Sequence, residues 1–589
     1  MEHKFVNGAI VASGKLYESA NYDVSNYVLS AQFNGCGGIN YYSIADGSTF
    51  NIPIEFINIS YNGKMQDMLL NKKVYMIGRK QITEIDLNNA AIIIEQFLDK
   101  NNHGIYTSYT LSTNNKNDVV QIGITGGFFW NDLCYTGKQL TNENQLFVSD
   151  SDFNYVPENN TVYLTLNNKT QKIRTRIIYC AEITNFDSSL ENFDKICDIV
   201  QKEIEDVKIP ANLNDTETAL FQSSYWCALE NYKEKGNYKA FMAGCRYLSP
   251  MRSYYRDSYF TVLSMYSNDL EKVKNQIITL ATGIQNDGSC PSAVICDYSE
   301  WWGDHYDSPS FLAMMLYDYI HFSGDISFAD FKVDDTTIFK KAVLSVEHLS
   351  KNTDDTGLLY KQGRYNKRDW ADEVNRYGYV TYDEVLYARA IYCIAEIFKR
   401  KGEKEQYSKY IEHFENVKTA INKILWNEEK GYYINFKNED YSENNLSIDT
   451  VFAAIYNIAD CERAKRMLLK MEQMLETQNN GIDINFGSMC VYPFYSRIDS
   501  ACHKSSQSFN YHNGANWPYL SAMYAYAKRK FHMNYKHLLT IPFEYNLSKG
   551  NYTPIEYFSP YCKDGSLLQA WSGAVAFVLD ENLSNNFWE

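Results

Sequence analysis

The sequence lacks the features that several classes of protein require. No stretch approaches the roughly 18 apolar residues of a membrane-spanning helix, and the first thirty residues contain no apolar run long enough for a signal peptide. The 13 cysteines are odd in number and show no C-x-x-C spacing, so we expect free thiols in a reducing compartment, with neither a disulfide framework nor a zinc site. We therefore predict a soluble, cytoplasmic protein without a metal or cofactor and without a membrane partner.

Basic charge is also scarce. The chain has 56 Lys and Arg against 72 Asp and Glu, a formal charge of −16, and no Lys/Arg stripe. A nucleic-acid partner is therefore not expected, because its phosphates would have to be neutralised. Aromatic residues make up 15% of the chain, with 49 Tyr and 9 Trp. Stacking on carbohydrate would explain this excess, and so would a codon bias that favours Tyr, Asn, Lys and Ile.

The first third of the chain has the alternation of β-strands. Apolar and polar residues alternate, between turns rich in Asn, Gly and Asp, at 51–60, 119–130, 161–166 and 172–183. This pattern predicts a supporting antiparallel β-sandwich over residues 1–185. Residues 188–206 have helical spacing and are followed by Pro210, which predicts a helical linker over 186–215.

After residue 215 the apolar residues recur with helical spacing instead. This periodicity predicts twelve helices, at 215–235, 258–266, 270–285, 309–323, 337–349, 382–401, 405–425, 448–458, 460–476, 517–530, 535–545 and 567–579. The chain is thus predicted to be mainly α, with residues 216–589 forming an (α/α)6 toroid, a catalytic barrel of six inner and six outer helices. A helical repeat array that binds a partner is the alternative, which the absence of a repeat of about 34 residues disfavours.

Residues 363–378 concentrate the chemistry, because they contain three carboxylates, three Arg and a Trp. Asp369, Asp372 and Glu373 lie beside the Trp370 indole, on which a sugar ring could stack, and neighbouring arginines could shift a carboxyl pKa. The alternative is a charged helix start, in which Asp372 caps the helix and Arg376 pairs with it four residues on.

Four other loops in the helical half also place aromatic and hydrogen-bonding groups at helix boundaries, at residues 255–261, 301–309, 511–518 and 554–560. If these boundaries face one end of a barrel, they form one pocket that can stack a sugar and bond its hydroxyls. Each loop also has a plain structural explanation. Asp257 would be a helix N-cap, His305 a packed neutral histidine, residues 516–518 a helix start with Pro518 in its first turn, and Glu556 the partner of a buried arginine.

Several of these motifs resemble known glycosidases. Gly244-Cys245-Arg246 followed by residues 255–260 (YRDSYF) resembles the trehalase signature, although Arg256 stands where trehalases have Trp. Residues 369–372 (DWAD) resemble both the D-W-x-D of disaccharide phosphorylases and the D-W-A-D of amylo-1,6-glucosidase-like proteins, and residues 512–518 resemble the same broad group. In glucoamylase-like (α/α)6 enzymes the acid lies between helices five and six and the base between eleven and twelve, where Asp372 and Glu556 fall.

The resemblance implies an inverting glycoside hydrolase that cleaves an α-glycosidic bond, with Asp372 as general acid and Glu556 as general base. The set expected to bind a small carbohydrate substrate, or to tune Asp372, comprises Arg252, Asp257, Trp302, His305, Asp307, Arg368, Asp369, Trp370, Arg376, Asn513, Trp517 and Trp571. A disaccharide phosphorylase of similar fold is one alternative, although its motif continues with Gly where this chain has Glu373. An inactive carbohydrate-binding barrel is the other.

Overall fold

The computed structural model describes residues 2–15, 21–44, 49–50, 56–67, 70–101, 103–126, 133–179, 189–245, 247–248, 250–362, 369–495, 504–562 and 564–589. The chain forms two compact units. The first comprises Met1–Lys235, Gly244–Met251 and Asn546–Pro554, and the second comprises Gly236–Ala243, Arg252–Tyr545 and Ile555–Glu589.

The first unit is built on antiparallel β-sheets. Its ten-stranded sheet contains, in spatial order, Glu2–Val6, Ala9–Gly14, Lys72–Ile77, Lys80–Asp86, Ala90–Leu98, Gly104–Thr113, Lys172–Tyr179, Gln145–Ser149, Gln139–Thr141 and Cys134–Tyr135. A five-stranded sheet contains Asn154–Val156, Thr161–Asn167, Val119–Thr125, Phe56–Tyr61 and Lys64–Met65. The remaining strands are Tyr22–Ser25, Leu29–Phe33, Ile39–Ile44 and Thr49–Phe50, which form a four-stranded sheet, and Tyr232–Lys235.

Period-two alternation explains these strands. In Ala90–Leu98, Ile92 and Ile94 are fully buried while the residue between them is partly exposed, because successive side chains of a strand point to opposite faces. Each of the four predicted segments contains a strand, which confirms the predicted antiparallel β-region. Residues 51–55, 127–130 and 180–183 of those segments lie outside the described residues.

Fourteen α-helices are found in the described residues: α1 (Phe193–Glu205), α2 (Asp215–Glu230), α3 (Tyr255–Val262), α4 (Leu270–Thr282), α5 (Ser308–Ser323), α6 (Ile338–Ser350), α7 (Thr381–Lys401), α8 (Lys404–Ile424), α9 (Phe452–Ile455), α10 (Cys461–Met474), α11 (Pro518–Lys530), α12 (His537–Ser548), α13 (Gly573–Leu579) and α14 (Glu581–Ser584). Helix α1 corresponds to the predicted linker helix. The twelve helices predicted after it each overlap one of α2–α13, so among the described residues of this half the sequence periodicity located every α-helix except the short α14.

Local sequence sets several helix ends. The Asn214 side chain accepts a hydrogen bond from the Glu217 amide and the Glu217 side chain returns one, a capping box that starts α2. Gly324 and Gly402 end α5 and α7 in the left-handed conformation. The start predicted for the last helix at residue 567 is wrong, since Leu568 has a φ of +49° and α13 begins only at Gly573.

Short strands lie in the connections of the second unit: Tyr238–Phe241, Arg252–Tyr254, Pro291–Ile295, Glu300–Asp304, Lys332–Val333, Thr336–Thr337, Tyr379–Val380, Trp426–Asn427, Tyr432–Tyr433, Phe436–Lys437, Ser442–Glu443, Leu446–Ser447 and Val491–Tyr492. Asp372 lies in the connection between α6 and α7, and Glu556 in that between α12 and α13. Among the residues that the structure describes, no helix is both long and apolar enough to cross a membrane.

Gly378 lies near the end of the α6–α7 connection. Its surroundings predict that a side chain at this position lowers the stability of the protein. Gly378 has a φ of +82°, and a Cβ there would meet the Lys437 carbonyl oxygen and lie 2.8 Å from the Asn438 Cβ. Gly357 has a similar φ of +80°, but a Cβ there would meet nothing within 4 Å. Both alanine substitutions should cost about 1–2 kcal/mol of backbone strain, and Gly378→Ala should cost about 1–3 kcal/mol more through overlap.

Thermal unfolding of both variants checks this. Gly378→Ala should melt several degrees below Gly357→Ala. Equal melting temperatures would mean that the 378 backbone can move away from residues 437–438.

Candidate active site

A buried ion-pair network supports the α6–α7 connection. The Arg376 guanidinium donates to Asp369 (Nη2 to Oδ1, 2.7 Å) and to Asp449 (Nη1 to Oδ2, 2.6 Å). The Lys361 ammonium pairs with Asp369 and with Asp383 of α7, the latter at 2.7 Å. All five side chains are buried. Opposite charges therefore compensate one another away from water, as burial requires.

Three predicted site residues, Asp369, Trp370 and Arg376, belong to this network. The Trp370 indole N–H donates to Asp449 at 2.6 Å. Burial alone would raise the pKa of Asp369, but the adjacent Arg376 and Lys361 charges outweigh it and hold that pKa well below its ordinary value of 3.8. These contacts favour a role in holding the connection over direct contact with a sugar.

The same contacts exclude the alternative in which this stretch is a charged helix start. Arg376 pairs with Asp369 and Asp449, while Asp372 lies nine residues before α7 begins at Thr381. Residues 369–378 thus form a loop that is fixed by tertiary ion pairs.

Asp372 has quite different surroundings from Asp369, three residues earlier. Its Oδ1 atom is buried and has no hydrogen-bond partner among the described residues, although 28% of the side chain is exposed. Burial raises the pKa of Asp372 to about 7, opposed by the Arg256 charge and assisted by the charges of Glu373 and Glu556. A carboxyl group with this pKa carries a proton over much of the range below neutral pH.

His512 faces Asp372, with its Nε2 atom 3.7 Å from Oδ1. Burial lowers the pKa of His512 well below 6.5, assisted by the Arg376 charge, so the ring is neutral at pH 7. Its Nδ1 atom accepts from the Glu373 amide at 3.4 Å, which leaves the ring proton on Nε2, on the side of Asp372.

Glu556 is held by its own backbone hairpin. Its Oε2 atom accepts from the Ser566 amide at 3.1 Å, and its amide donates to the Ser566 carbonyl at 2.8 Å. Burial raises the pKa of Glu556, opposed by the Ser566 N–H and by the Lys504 charge. None of the described residues forms an ion pair with Glu556, so the alternative of a buried arginine partner is not supported there.

Arg256 connects two of the predicted loops. Its Nη1 atom donates to Asp307 Oδ2 at 2.7 Å, and His305 Nδ1 lies 2.7 Å from Asp307 Oδ1. Burial would raise the pKa of Asp307, but the Arg256 and His305 contacts lower it to about 2. Asp257 accepts from Gln569 Nε2 at 3.2 Å, and burial raises its pKa to about 7 against the Arg256 charge.

Asp257 is not an N-cap, because α3 begins at Tyr255 after Tyr254. Its burial at the third helical position instead places a carboxyl group of raised pKa near Glu556, whose charge contributes to that rise. Pro518 is the first residue of α11, as the plain helix-start interpretation of that loop predicted.

An aromatic cluster joins the loops that carry Asp372, His512 and Glu556. The Trp517 ring centroid lies 5.0 Å from that of His512 and 5.4 Å from those of Trp370 and Tyr557. Trp571 lies 5.7 Å away on a further loop, and its indole N–H is buried with no hydrogen-bond partner in the part of the chain that the structure describes. Ring packing thus fixes the distances between loops that are far apart in sequence.

The remaining predicted residues lie differently. Trp302 is 63% exposed and stacks on Trp301 with centroids 6.1 Å apart, so it does not share the burial of the Trp517 cluster. The Arg252 guanidinium lies 4.6 Å from the Trp301 ring centroid. The buried Asn513 accepts from the Tyr495 amide at 2.9 Å, a contact between two segments that are 18 residues apart in the chain. Arg368 lies outside the described residues.

The predicted set lacks several residues that the structure places here. They include Arg256, Lys361, Asp449, His512 and Tyr557. Arg256 carried a signal, since it replaces the Trp of the trehalase signature. Lys361 and Asp449 have ordinary local sequence, and only the fold brings them to Asp369 and Arg376.

This arrangement can perform general acid/base chemistry. Asp372 and Glu556 come from separate connections, each is partly shielded from water, and the charge of one raises the pKa of the other. Carboxyl groups with shifted pKa values in aromatic surroundings are typical of acid/base sites.

Comparison with known proteins is consistent with this chemistry. The family model described as Trehalase matches residues 384–490, a stretch that contains Asp449 but neither Asp372 nor Glu556. No curated protein sequence matches the chain.

Two solved structures share the fold. A bacterial glucoamylase in complex with acarbose superposes with a TM-score of 0.60 at 11% identity, covering 97% of each chain. A GH78 family rhamnosidase of Bacillus sp. GL1 gives 0.50 at 15% identity, covering 80% of this chain and 46% of that one. These matches confirm the resemblance to the trehalase and glucoamylase kind. At such identities the structural likeness establishes the fold and leaves the substrate open.

The contrast between Asp369 and Asp372 predicts opposite effects of one substitution. Asp372→Asn should stabilise the protein, because an ionised carboxylate there opposes folding. With the pKa raised from 3.8 to about 7, the gain should be absent below pH 4, grow up to pH 7 and stay constant above, reaching on the order of 1–4 kcal/mol.

Asp369→Asn should destabilise the protein at neutral pH by about 3–5 kcal/mol, since it leaves two buried cations short of a partner. Because the pKa of Asp369 is lowered, this loss should shrink only at strongly acidic pH. Melting temperatures of both variants from pH 4 to 8 measure the two effects. Loss of stability in both variants at pH 8 would contradict the difference in surroundings.

Proposed function

We propose that the protein is a glycoside hydrolase that cleaves an α-glycosidic bond by inverting general acid/base catalysis. The observation that carries the proposal is the pair formed by Asp372 and Glu556, two shielded carboxyl groups from different connections that lie close enough for the Glu556 charge to raise the pKa of Asp372. The match to the Trehalase model and the glucoamylase fold support it.

Asp372 is proposed as the general acid. Its raised pKa keeps it protonated near neutral pH, and its unpartnered Oδ1 atom has no competing hydrogen bond in the described residues. It would protonate the glycosidic oxygen as the bond to the anomeric carbon breaks. The neutral His512 ring beside it adds no positive charge that would lower the pKa of Asp372.

Glu556 is proposed as the general base that removes a proton from the attacking water. The Ser566 N–H and the Lys504 charge both favour its ionised form. An inverting enzyme keeps its two carboxyl groups about 6.5–9.5 Å apart, which leaves room for that water on the opposite face of the sugar.

Other residues would bind the sugar. Asp257 has a carboxyl group that can accept from hydroxyls, and the Trp571 N–H is a buried donor that no described residue accepts from. The acarbose-bound glucoamylase suggests an α-glucoside or α-linked oligosaccharide as substrate. The proposed architecture is an (α/α)6 barrel over residues 216–589, preceded in the chain by a β-sandwich at 1–185 and a linker at 186–215, and the proposed compartment is the cytoplasm.

Kinetics with two kinds of substrate test the roles. Asp372→Asn should lose about 10²–10⁴-fold in kcat/KM on a natural disaccharide. The loss should be smaller on an aryl glycoside, because its good leaving group needs little protonation. Glu556→Gln should be poor on both, because water must still be activated. Asp355→Asn, at an exposed position, is the control and should retain activity.

The stereochemical outcome is read by NMR or polarimetry on the first-formed sugar, which should be the β-anomer from an α-glycoside. If the first-formed sugar keeps the α-configuration, or if Glu556→Gln is fully active, Glu556 is not the general base of an inverting reaction. A screen of aryl glycosides of both anomers, with acarbose as inhibitor, defines the sugar. A strict requirement for phosphate would show a phosphorylase instead.

The pH profile tests the acid independently. Activity should fall as the pH rises past about 7, since Asp372 then loses its proton. Glu373→Gln removes a like charge, so the pKa of Asp372 and the alkaline limb should both move to lower pH. Glu429→Gln, at an exposed position, should leave the profile unchanged. A shift to higher pH in Glu373→Gln would contradict the proposed electrostatics.

A further inference from the structure

A second cleft lies in the same unit, lined by residues that the proposed mechanism does not use. It occupies about 490 Å³ between the segment that follows α6 and the turn after Phe436–Lys437. This volume lies within the roughly 300–1,000 Å³ of small-molecule sites. Gln362 and Tyr379 line it, and both belong to the α6–α7 connection, one before Asp372 in the sequence and one after it.

Asn438 gives the cleft an unused donor. Its Oδ1 atom accepts from the amides of Asp440 and Tyr441, both at 3.0 Å, which fixes the orientation of the side-chain amide. Its Nδ2 atom is buried and has no hydrogen-bond partner in the described residues. An unsatisfied buried donor costs about 1–3 kcal/mol, so a ligand acceptor that reaches Nδ2 through a small shift of the Asn438 side chain would be stabilised there.

Two tyrosines supply the aromatic surface. The Tyr360 and Tyr379 rings meet edge to face, with centroids 5.3 Å apart at 88°. The Tyr379 hydroxyl donates to Asp354, which anchors that ring. Both side chains remain partly exposed, so the CH face of a ligand ring can pack on them.

The charges at the cleft balance. Lys351 and Lys437 give the cleft two positive charges, and Asp354 and Glu439 give it two negative charges. The Asp354 carboxylate already accepts hydrogen bonds from the Thr356 amide and the Tyr379 hydroxyl. A balanced set of donors and acceptors favours a neutral ligand whose hydroxyls both donate and accept.

We propose that this cleft is a second, non-catalytic saccharide-binding site, in which a sugar ring packs on Tyr360 and accepts a hydrogen bond from Asn438. It would hold a further part of a long substrate or a separate chain. The proposal rests on the cleft alone and stands whether or not Asp372 and Glu556 are catalytic.

The experiment titrates maltotriose, isomaltotriose and cellotriose into the Asp372→Asn protein by isothermal calorimetry, so that hydrolysis is suppressed. At least one probe should bind at two sites per chain. Asn438→Asp keeps the Oδ1 acceptor for the turn but removes the donor, and Tyr360→Leu removes the ring. Either change, added to Asp372→Asn, should weaken the second event at least about tenfold. In the otherwise wild-type chain, either change alone should leave kcat/KM on an aryl glycoside within about twofold.

Asn167→Asp is the matched control, because Asn167 Oδ1 also accepts from two amides of its own turn, those of Lys169 and Thr170. It should leave both binding events intact. Melting temperatures confirm that the cleft variants fold. Folded Asn438→Asp and Tyr360→Leu proteins with unchanged titrations, or the absence with all three probes of any binding event that these changes weaken, would overturn the proposal.

Discussion

The bidentate contact between Arg376 and Asp369 is the interaction on which the proposed site depends. It joins two residues seven positions apart and, through Asp449, ties the α6–α7 connection to the segment before α9. A connection of thirty residues between α6 and α7 would otherwise have large conformational freedom, and ordering it costs entropy. The buried charges offset that cost only in one geometry, because each is expensive to bury without its partner. Asp372 is therefore held in place by charged side chains that pair with one another and not with Asp372.

The network also shows how one short segment can hold two carboxyl groups in opposite states. Asp369 lies between two cations and stays ionised, whereas Asp372 is shielded from water near other carboxylates and has a pKa of about 7. Both are aspartates of one tetrapeptide, so the difference arises entirely from their surroundings. Because the cations Lys361 and Arg376 contact Asp369 and not Asp372, Asp372 can keep its proton near neutral pH. Arg256 limits the effect, since it lowers the pKa of Asp372 while its charge is shared with Asp307.

Aromatic packing performs the complementary task of bringing separate loops together. Trp517 contacts rings of the Asp372, His512 and Glu556 loops and of the Trp571 loop. Such contacts are strong and tolerant in angle, which suits a site assembled from helix connections. The same packing would fix the separation of the two carboxyl groups on which an inverting mechanism depends.

The sequence by itself located the helices α1–α13 and a strand in each of four predicted segments, because period-3.6 and period-two apolar patterns are local properties that each segment needs for burial. It also singled out Asp372 and Glu556, since aromatic and carboxylate clusters at helix boundaries are unusual. Only the tertiary structure decided that Arg376 binds Asp369 and Asp449 and not Asp372, that Trp370 is buried, and that Trp302 is exposed. It alone brought Lys361, Asp449 and Arg256 to their partners. These outcomes depend on contacts between residues far apart in the chain, and a buried charge selects its partner by position in space, which no local pattern encodes.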